Sequence, residues 1–426
     1  MIAHQVKFLF SMIKNQWKPY ARLKELQDQK IRKLIHHAYT HVPFYRKLFD
    51  SVLIKPEDID QVEDLSKIPI TTKKHIQDAQ PDSMISRIHN PSKCIRITTS
   101  GSSGTPLRLI YEKSDFSRLN MNWIRPLLAH GVKPWYKKME ITGPHNISTG
   151  KTWYNYLGLW KTRAVSVFNK PQDWLDLMNT YNPDFLYGYS GSLKLLAQHV
   201  QKNASAHPLL RFVFGVSDLV DQECRELVQA VFKTKLVDLY GSAEAGCIAW
   251  ECPVCKGYHI NMDTVAVEFL KNQEFGPGSD QGRIIVTNLH SYAMPIIRYD
   301  LEDVGSASDE DSACGRQLPL MKIIEGRDDA FVVLPSGNKL SPMFFFGIMK
   351  PVEGIAHWRI HQDSVGRITI LIVPSPDYSP RTIPALQQRI STHIKEDTVV
   401  EIRTVDHLPP DASGKVRAVI SKARSS

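Results

Sequence analysis

The stretch Thr98-Thr99-Ser100-Gly101-Ser102-Ser103-Gly104-Thr105-Pro106 lies between two runs of β-prone residues, 94–97 before it and 107–111 after it. It therefore predicts a loop that joins two strands. Glycines let a backbone approach a ligand closely, and hydroxyls with main-chain N–H groups can surround a polyphosphate. This is not a Walker A loop, because the Gly-Lys-Ser/Thr ending is missing and a strand follows where that motif requires a helix. Taken alone, such a loop is more typical of an ordinary surface turn.

The length and composition are those of a globular protein. With 426 residues, of which 42% are hydrophobic and 23% charged, the chain is long enough for a large core and more than one domain. No apolar run approaches the length that crosses a bilayer. The apolar stretch at residues 7–13 is too short, and no small-residue cleavage site follows it, so no signal peptide is predicted. We therefore expect a cytoplasmic protein.

The charge balance is basic. The formal net charge is +9, and part of the excess lies in residues 1–50, which form a basic and amphipathic start. Such a start is most often the solvated face of a helix, although it leaves weak contact with an anionic membrane surface open. The sequence has no nucleic-acid-binding motif, and a high isoelectric point alone does not indicate one. We therefore expect no nucleic acid partner.

Hydrophobic periodicity predicts helices and strands in alternation. Residues 21–39 have helical spacing, and residues 173–200 are typical of two helices separated at Asn182-Pro183. Short apolar runs between such helices predict the parallel strands of a layered α/β domain. Residues 258–300 are strand-rich, which predicts an antiparallel or barrel-like portion. From about residue 328 the pattern predicts a small α+β domain.

Two segments carry candidate nucleotide-binding residues. The first segment is Asp238-Leu239-Tyr240-Gly241-Ser242-Ala243-Glu244, in which a predicted strand ends and a turn begins at the glycine. Ligands of open α/β sheets bind beyond the carboxyl ends of strands. Its tyrosine can stack on a base, and its glutamate can give Mg²⁺ an oxygen ligand. The second segment is Arg298-Tyr299-Asp300-Leu301-Glu302-Asp303-Val304-Gly305. It contains an aspartate at the end of a predicted strand, which can accept hydrogen bonds from ribose hydroxyls. The plainer alternatives are an edge tyrosine with a solvated glutamate, and an ordinary charged turn.

Two more segments lie at a predicted domain joint and near the C-terminus. The predicted fold class is α/β, with a large N-terminal domain (residues 1–327) of layered α/β containing a barrel-like β portion, and a small mobile C-terminal α+β domain (residues 328–426). Gly326-Arg327-Asp328-Asp329 falls at the joint, where the arginine offers a fork of donors and Asp329 stands at a hinge position. Ser413-Gly414-Lys415-Val416-Arg417 can bring a mobile charge to a reacting phosphate, although alone it is typical of a surface segment.

The order of these segments resembles a known family. Five motifs occur here in the same order as in the adenylate-forming superfamily of acyl-CoA synthetases. They are a Ser/Thr/Gly loop, a Tyr-Gly-x-x-Glu turn, an Arg-Tyr…Asp strand end, a Gly-Arg-Asp-Asp joint and a terminal Gly-Lys. Within it, the chain is most similar to phenylacetate–CoA ligases and to related capsule-biosynthesis adenylating proteins. Residues 34–46 resemble the amino-terminal helix of that family, so the resemblance runs from about residue 25 to the end.

The resemblance implies a role for each matching residue. Lys415 would reach the α-phosphate and the carboxylate during adenylation, and Glu244 would bind Mg²⁺. The small domain would turn about Asp329. The nucleotide would be held by Ser100, Gly101, Ser102, Ser103, Gly104 and Thr105 at its phosphates, by Asp238, Tyr240, Gly241 and Ser242 near the adenine, and by Asp303 with Arg327 at the ribose.

The sequence departs from the phenylacetate pattern at two places. Residues 215–218 are Gly-Val-Ser-Asp, where phenylacetate-type enzymes usually have a Gly-Ala-Glu-Pro-like turn near the adenine. Residues 298–303 are Arg-Tyr-Asp-Leu-Glu-Asp, where those ligases commonly have Arg-Tyr-Arg-Thr-Arg-Asp. Both differences favour the capsule-associated branch and argue against phenylacetate itself as the substrate.

A separate group of residues predicts a metal site. Cys252-Pro-Val-Cys255 is a CxxC knuckle, His259 follows four residues later, and Cys314 lies far downstream. Two thiolates from a knuckle with two further ligands fit tetrahedral Zn²⁺, so we predict a structural zinc site, with Cys247 competing for the fourth position. The alternatives are free thiols, and a His259 that supports the site or faces the substrate. A thioredoxin-type redox role is disfavoured, because no βαβ unit opens at the motif.

These features together predict an AMP-forming ligase that is similar to phenylacetate–CoA ligases. ATP with Mg²⁺ would activate a small carboxylic or amino acid as an acyl-adenylate, and the thiol of coenzyme A or an amine would then take the acyl group, in polysaccharide or capsule biosynthesis. The alternative is a degenerate adenylating fold that binds a nucleotide without turnover, as a partner in a polysaccharide assembly complex. A zinc-dependent hydrolase is disfavoured, because thiolate sites of the CxxC type are usually closed and structural.

Overall fold

The computed structural model alternates helices and strands along the chain. It describes residues 2–79, 81–98, 107–143, 147, 155, 157–204, 206–217, 220, 222–271, 282–310, 312–325, 332–336, 339–340, 342–349, 351–406, 408, 419–421 and 423. The helices are α1 Ile2–Asn15, α2 Tyr20–His41, α3 Pro43–Ser51, α4 Lys73–Asp78, α5 Lys113–Met121, α6 Ile124–Ala129, α7 Pro171–Tyr181, α8 Ser190–Lys202, α9 Gln222–Phe232, α10 Pro342–Met349 and α11 Thr382–His393, with short 3₁₀ turns at Pro56–Asp58, Val62–Lys67, Pro81–Met84 and Pro91–Lys93.

The strands fall into several sheets. They are β1 Ile95–Thr98, β2 Arg108–Tyr111, β3 Lys138–Thr142, β4 Thr162–Ser166, β5 Phe185–Tyr189, β6 Phe212–Val216, β7 Leu236–Ser242, β8 Gly246–Glu251, β9 Tyr258–Ile260, β10 Val265–Leu270, β11 Gly282–Asn288, β12 Tyr299–Ser308, β13 Leu320–Glu325, β14 Val332–Val333, β15 Lys339–Leu340, β16 Ile355–Ser364, β17 Arg367–Pro374, β18 Val399–Thr404 and β19 Val419–Ser421. The two runs that flank the Ser/Gly/Thr loop form strands, as predicted; these are β1 and β2, and they pair antiparallel.

Two of the predicted helical regions show how local sequence sets the element ends. The helix predicted at residues 21–39 is α2, and Val42 after it is extended because it precedes a proline. The two helices predicted within residues 173–200 are α7 and α8. Asn182 ends α7 in the left-handed conformation with φ 49° and ψ 67°, which asparagine tolerates better than most residues.

The chain divides into two compact units. The first comprises Met1–Thr99, Leu107–Lys133 and Val237–Gly326. Its strands lie in the order β10-β11-β12-β13-β9-β8-β7, and every neighbouring pair is antiparallel. This is the strand-rich portion that the sequence predicts. Its core is closed by buried apolar side chains, among them Ile248, Trp250, Ile285 and Val286.

The second unit includes Pro134–Leu236 and Arg327–Ser426. Its parallel strands lie in the order β4-β3-β5-β6, with α7 and α8 as the crossover helices. A further sheet has the order β18-β17-β16-β19, and α10 and α11 share its apolar core. The ring of Phe168, after β4, packs edge-on against Phe344 of α10 and His393 of α11, with ring centroids 5.3 and 4.8 Å away. Parallel strands alternating with helices confirm the predicted α/β class.

None of the helices that the structure describes has both the length and the apolar character that a membrane crossing requires.

Candidate nucleotide site and cysteine cluster

The turn from β7 into β8 can accept only glycine at Gly241. The pairing of the two strands is interrupted by a bulge between Tyr240 and Gly241. A Cβ atom on Gly241 would stand 2.2 Å from the carbonyl oxygen of Gly246 and 2.7 Å from the ring of Trp123. Neither neighbour is the free end of a flexible side chain, so the backbone itself would have to move. Any larger residue at this position would therefore shift the backbone next to Tyr240.

Asp238, the first predicted adenine neighbour, is buried in β7 and held from two sides. Its backbone N–H donates to Oε2 of Glu251 at 3.0 Å. Its carboxylate Oδ2 accepts a hydrogen bond of 2.7 Å from Oη of Tyr258, which begins β9. Since β8 and β9 are the next strands in the sheet, the orientation of Asp238 depends on their pairing.

Tyr240 and Asp303 are joined directly. Oη of Tyr240 donates to Oδ2 of Asp303 at 2.8 Å, although 63 residues separate them. The two residues lie on β7 and β12, which stand at opposite ends of the order β12-β13-β9-β8-β7. In a flat sheet those strands would be about 19 Å apart, at ~4.8 Å for each step. The hydrogen bond therefore requires this sheet to curl, as a barrel-like portion does.

Glu244 is the buried acid of the turn. Its carbonyl oxygen accepts hydrogen bonds from Oη of Tyr111 at 3.2 Å and from Nδ2 of Asn288 at 2.8 Å, which fix the backbone. Burial raises the pKa of its carboxyl group, and hydrogen bonds from Ser242 and Tyr299 act in the opposite direction. Because a nearby cation would offset the cost of burying the charge, this carboxylate fits the role of a magnesium ligand.

The cysteine cluster is formed by Cys252, Cys255 and Cys314. The first two lie in the turn between β8 and β9, and the third lies between β12 and β13. Their sulfur atoms all lie within 4.8 Å of one another. Two backbone N–H groups, of Val254 and Cys255, donate to Sγ of Cys252 at 3.4 and 3.2 Å. Such donors stabilise a thiolate, which is the form of cysteine that binds metals.

His259 completes the cluster from β9. Its Nε2 lies 3.2 Å from Sγ of Cys314, and its Nδ1 lies 3.3 Å from the carbonyl oxygen of Leu318. A carbonyl only accepts, so Nδ1 carries the proton and Nε2 presents its lone pair to Cys314. Burial lowers the pKa of His259 to about 4, which keeps the ring in the neutral form that binds metals.

Cys247, the competing fourth ligand, lies elsewhere. It is buried in β8, and its thiol donates to the carbonyl oxygen of Ala249 at 3.7 Å. It does not belong to the group of sulfur atoms that the structure brings together within the described residues. The CxxC knuckle thus meets Cys314 and His259.

Comparisons with known proteins agree with the resemblance. A family model described as the CapK C-terminal domain matches residues 332–422. A phenylacetate-coenzyme A ligase of Thermus thermophilus is 24% identical over 443 residues, covering 94% of this chain and 97% of its own. Another, of Escherichia coli, is 25% identical over 370 residues and covers 82% of both chains. The chain is similar to phenylacetate-coenzyme A ligases over most of its length.

A solved structure extends the likeness to the fold. It is 2-hydroxyisobutyryl-CoA ligase in complex with 2-HIB-AMP and CoA in the thioesterification state. Its TM-score to this chain is 0.66 at 16% sequence identity, with 96% of this chain and 92% of that chain covered. At this identity the likeness shows the fold alone. The predicted family resemblance, fold class and enzyme class, an AMP-forming ligase, are confirmed.

Several predicted site residues lie outside the described residues. They are Ser100, Gly101, Ser102, Ser103, Gly104, Thr105, Arg327, Asp329 and Lys415. Their predicted roles stay predictions. Of the others, the structure brings Tyr240 and Asp303 together, and it brings His259 to Cys314, one of the three clustered cysteines.

Some residues that shape the site are not singled out by the sequence. Tyr258 immediately precedes His259 in β9, and the alternation of a strand would have placed the two side chains on opposite faces. Arg125 is fully buried and donates to Oδ2 of Asp263 and Oδ1 of Asn261, both at 2.7 Å. Burial raises the pKa of Asp263, but the Arg125 charge outweighs this and lowers it to about 2. No local pattern links residues 138 positions apart.

Proposed function

We propose that the protein activates a carboxylic acid with ATP and passes the acyl group to coenzyme A. A carboxylate oxygen attacks the α-phosphorus of ATP, the bond to the β-phosphate oxygen breaks, and pyrophosphate leaves. The thiolate of coenzyme A then attacks the carbonyl carbon of the acyl-adenylate, and AMP leaves as the C–O bond breaks. The observation that carries the proposal is the hydrogen bond between Tyr240 and Asp303, because it joins the residues expected at the adenine and at the ribose.

The described residues supply suitable chemistry for the nucleotide. The ring of Tyr240 stacks against the adenine, and Asp238 lies near its amino group as a fixed acceptor. Asp303 accepts hydrogen bonds from the ribose hydroxyls, exchanging its bond from Tyr240 for bonds from the ligand. Glu244 holds Mg²⁺, with Gly241 and Ser242 in the turn before it. When bound, Mg²⁺ supplies positive charge that offsets the charge developing on the phosphates.

The remaining catalytic parts are proposed from the resemblance. The loop of residues 100–105 holds the β- and γ-phosphates, Arg327 stands beside the ribose, and Lys415 contacts the α-phosphate during adenylation. The small domain, residues 328–426, turns about Asp329 so that one site serves both half-reactions. The match of the CapK C-terminal model to residues 332–422 supports the assignment of a distinct small domain.

The acceptor and the pathway are finer proposals. The names of the curated relatives support coenzyme A over an amine as the acceptor. The CapK match and the departures at residues 215–218 and 298–303 support an acid of capsule or polysaccharide biosynthesis rather than phenylacetate. We also propose that the zinc predicted at Cys252, Cys255, Cys314 and His259 is structural.

Mass spectrometry of the products tests this function. The purified protein is incubated with ATP, Mg²⁺ and a panel of aryl, fatty, amino and uronic acids. At least one acid should give an acyl-AMP, and adding coenzyme A should convert that product to an acyl-CoA. Nucleotide that binds without any acid-dependent product would instead favour the degenerate binding partner.

A matched pair of variants ties the activity to the site. Asp303→Ala removes the ribose acceptor and should raise the KM for ATP by about tenfold or more, as expected for hydrogen bonds to a charged group. Asp309→Ala removes an exposed aspartate just beyond the same strand and should leave the KM unchanged. Equal KM values in the two variants would remove Asp303 from the nucleotide site.

A further inference from the structure

We propose that Cys252, Cys255, Cys314 and His259 bind one Zn²⁺, and that this metal fixes β9 so that Tyr258 holds Asp238 in place. The metal site stands on its own geometry. Its effect on the nucleotide rests on the proposed function, since that function assigns Asp238 to the adenine.

The spacing of the ligand atoms suits tetrahedral zinc. Zinc–sulfur bonds of about 2.3 Å place the sulfur atoms of a tetrahedral site about 3.8 Å apart. The three sulfur atoms here lie within 4.8 Å of one another, and Nε2 of His259 lies 3.2 Å from Sγ of Cys314. The three sulfur atoms are thus close to the spacing of a zinc site, and a rotation of His259 toward Cys252 and Cys255 would complete four ligands around one metal ion.

The surrounding groups orient the ligands around the site. The carbonyl oxygen of Leu318 fixes the proton of His259 on Nδ1, and backbone N–H groups point at Sγ of Cys252. Arg316 hydrogen-bonds to Cys314 and places its guanidinium 5.5 Å from the ring centroid of Trp250. Its charge offsets the net negative charge of three thiolates with one Zn²⁺. Such supporting contacts are typical of metal centres.

Four protein ligands close the site, which indicates a structural metal. A catalytic zinc keeps one position open for water or substrate. The ligands come from the turn between β8 and β9, from β9 itself, and from the segment between β12 and β13. The metal therefore ties together three neighbouring parts of the first unit.

The strand β9 connects this metal site to the nucleotide residues. It is only three residues long, Tyr258–Ile260. Because side chains alternate along a strand, Tyr258 faces Asp238 while His259 faces the cysteines. The strand is paired with β8 on one side and β13 on the other, and a metal bond at His259 would add a further constraint on the position of Tyr258. Tyr258 is a positioning residue, which acts on the nucleotide through Asp238.

Metal analysis tests the site without reference to activity. The tag-free chain should contain about one zinc ion. Cys255→Ser should lose the zinc and lower the Tm by about 5 °C or more. Cys94→Ser changes a half-buried cysteine outside the cluster and should keep both zinc and Tm. If Cys255→Ser does not fold, the wild-type protein is treated with a zinc chelator and then with ZnCl₂, and the Tm should fall and return.

The link to the nucleotide is tested with AMP as the probe. Removing zinc from the wild-type protein should raise the Kd for AMP about tenfold, and Tyr258→Phe should give a similar rise with its zinc retained. An unchanged Kd in Tyr258→Phe would overturn the positioning role. A wild-type chain without zinc, or a Cys255→Ser chain with full zinc, would overturn the site itself. A zinc-loaded protein that forms no acyl-AMP would contradict the proposed function and leave the metal site intact.

Discussion

The nucleotide residues and the cysteine cluster lie on opposite faces of β9, and the two groups are built differently. In the cluster, the sulfur atoms of Cys252, Cys255 and Cys314 lie within 4.8 Å of one another, and Nε2 of His259 lies 3.2 Å from Sγ of Cys314. Around the turn, Tyr240 and Asp303 pair with each other at 2.8 Å. Converging soft ligands make a closed site, whereas paired hydrogen-bonding groups can exchange their bonds for bonds to a ligand. The cysteine cluster is therefore suited to stabilising the fold, and the nucleotide residues are suited to binding and releasing a ligand.

That separation predicts that chemistry can be lost while the metal centre is kept. Lys415→Ala removes a charge that the proposed mechanism places at the α-phosphate. Acyl-adenylate formation should fall about 10²-fold or more, the size of effect seen when one transition-state contact is removed. Zinc content, Tm and transfer from preformed acyl-adenylate should stay at wild-type values. An unchanged adenylation rate would show that this lysine has been assigned wrongly.

Glu244→Gln should produce the next largest effect, and its sign depends on pH. Burial raises the pKa of Glu244, so the folded protein binds that proton more tightly than the unfolded chain does. The stability from this group is therefore full below the unfolded pKa and is lost as the pH rises through the folded pKa. The glutamine variant avoids that loss, so its Tm at pH 8 should equal or exceed that of the wild type. Its adenylation rate should nevertheless fall about tenfold, because a magnesium ligand is missing. A lower Tm at pH 8 with an unchanged rate would assign Glu244 to the fold instead.

Gly241→Ala should give the smallest change and should spare the cluster. The added Cβ meets the Gly246 carbonyl oxygen at 2.2 Å, and such overpacking costs about 1–3 kcal/mol. We expect a lower Tm, a severalfold higher KM for ATP and unchanged zinc content. Gly131→Ala is the control, since nothing lies within 4 Å of its Cβ although its φ of 91° is unfavourable for alanine. It should lower the Tm while keeping the KM. Equal KM values for ATP in the two variants would show that the turn at Gly241 does not shape the nucleotide site.

Much of this arrangement could be predicted from sequence because it depends on local signals. The helix boundaries near Val42 and Asn182 follow from the restrictions that proline places on its neighbours. The CxxC spacing suggests a metal knuckle before any fold is known. The family resemblance assigns Tyr240 and Asp303 to one nucleotide. Their hydrogen bond to each other could not be predicted, because it depends on the curl of the sheet, which is a tertiary property.

The remaining contacts depend on long-range packing that no motif records. The buried pair of Arg125 and Asp263, whose atoms lie 2.7 Å apart, forms only after distant segments meet. Tyr258 belongs to no recognisable sequence motif apart from its position next to His259. Its hydrogen bond to Asp238 requires the strand order β9-β8-β7. Strand order follows from how a whole unit folds, so these residues become visible only in three dimensions.

The most direct measurement of the central claim is acid-dependent exchange of labelled pyrophosphate into ATP. This exchange requires reversible formation of an acyl-adenylate, and it does not require coenzyme A. We predict exchange with at least one acid of the panel in the wild-type protein and in Asp309→Ala. In Asp303→Ala, the exchange should need a much higher concentration of ATP. Absence of exchange with every acid, in a protein that holds its zinc and binds AMP, would contradict the central claim.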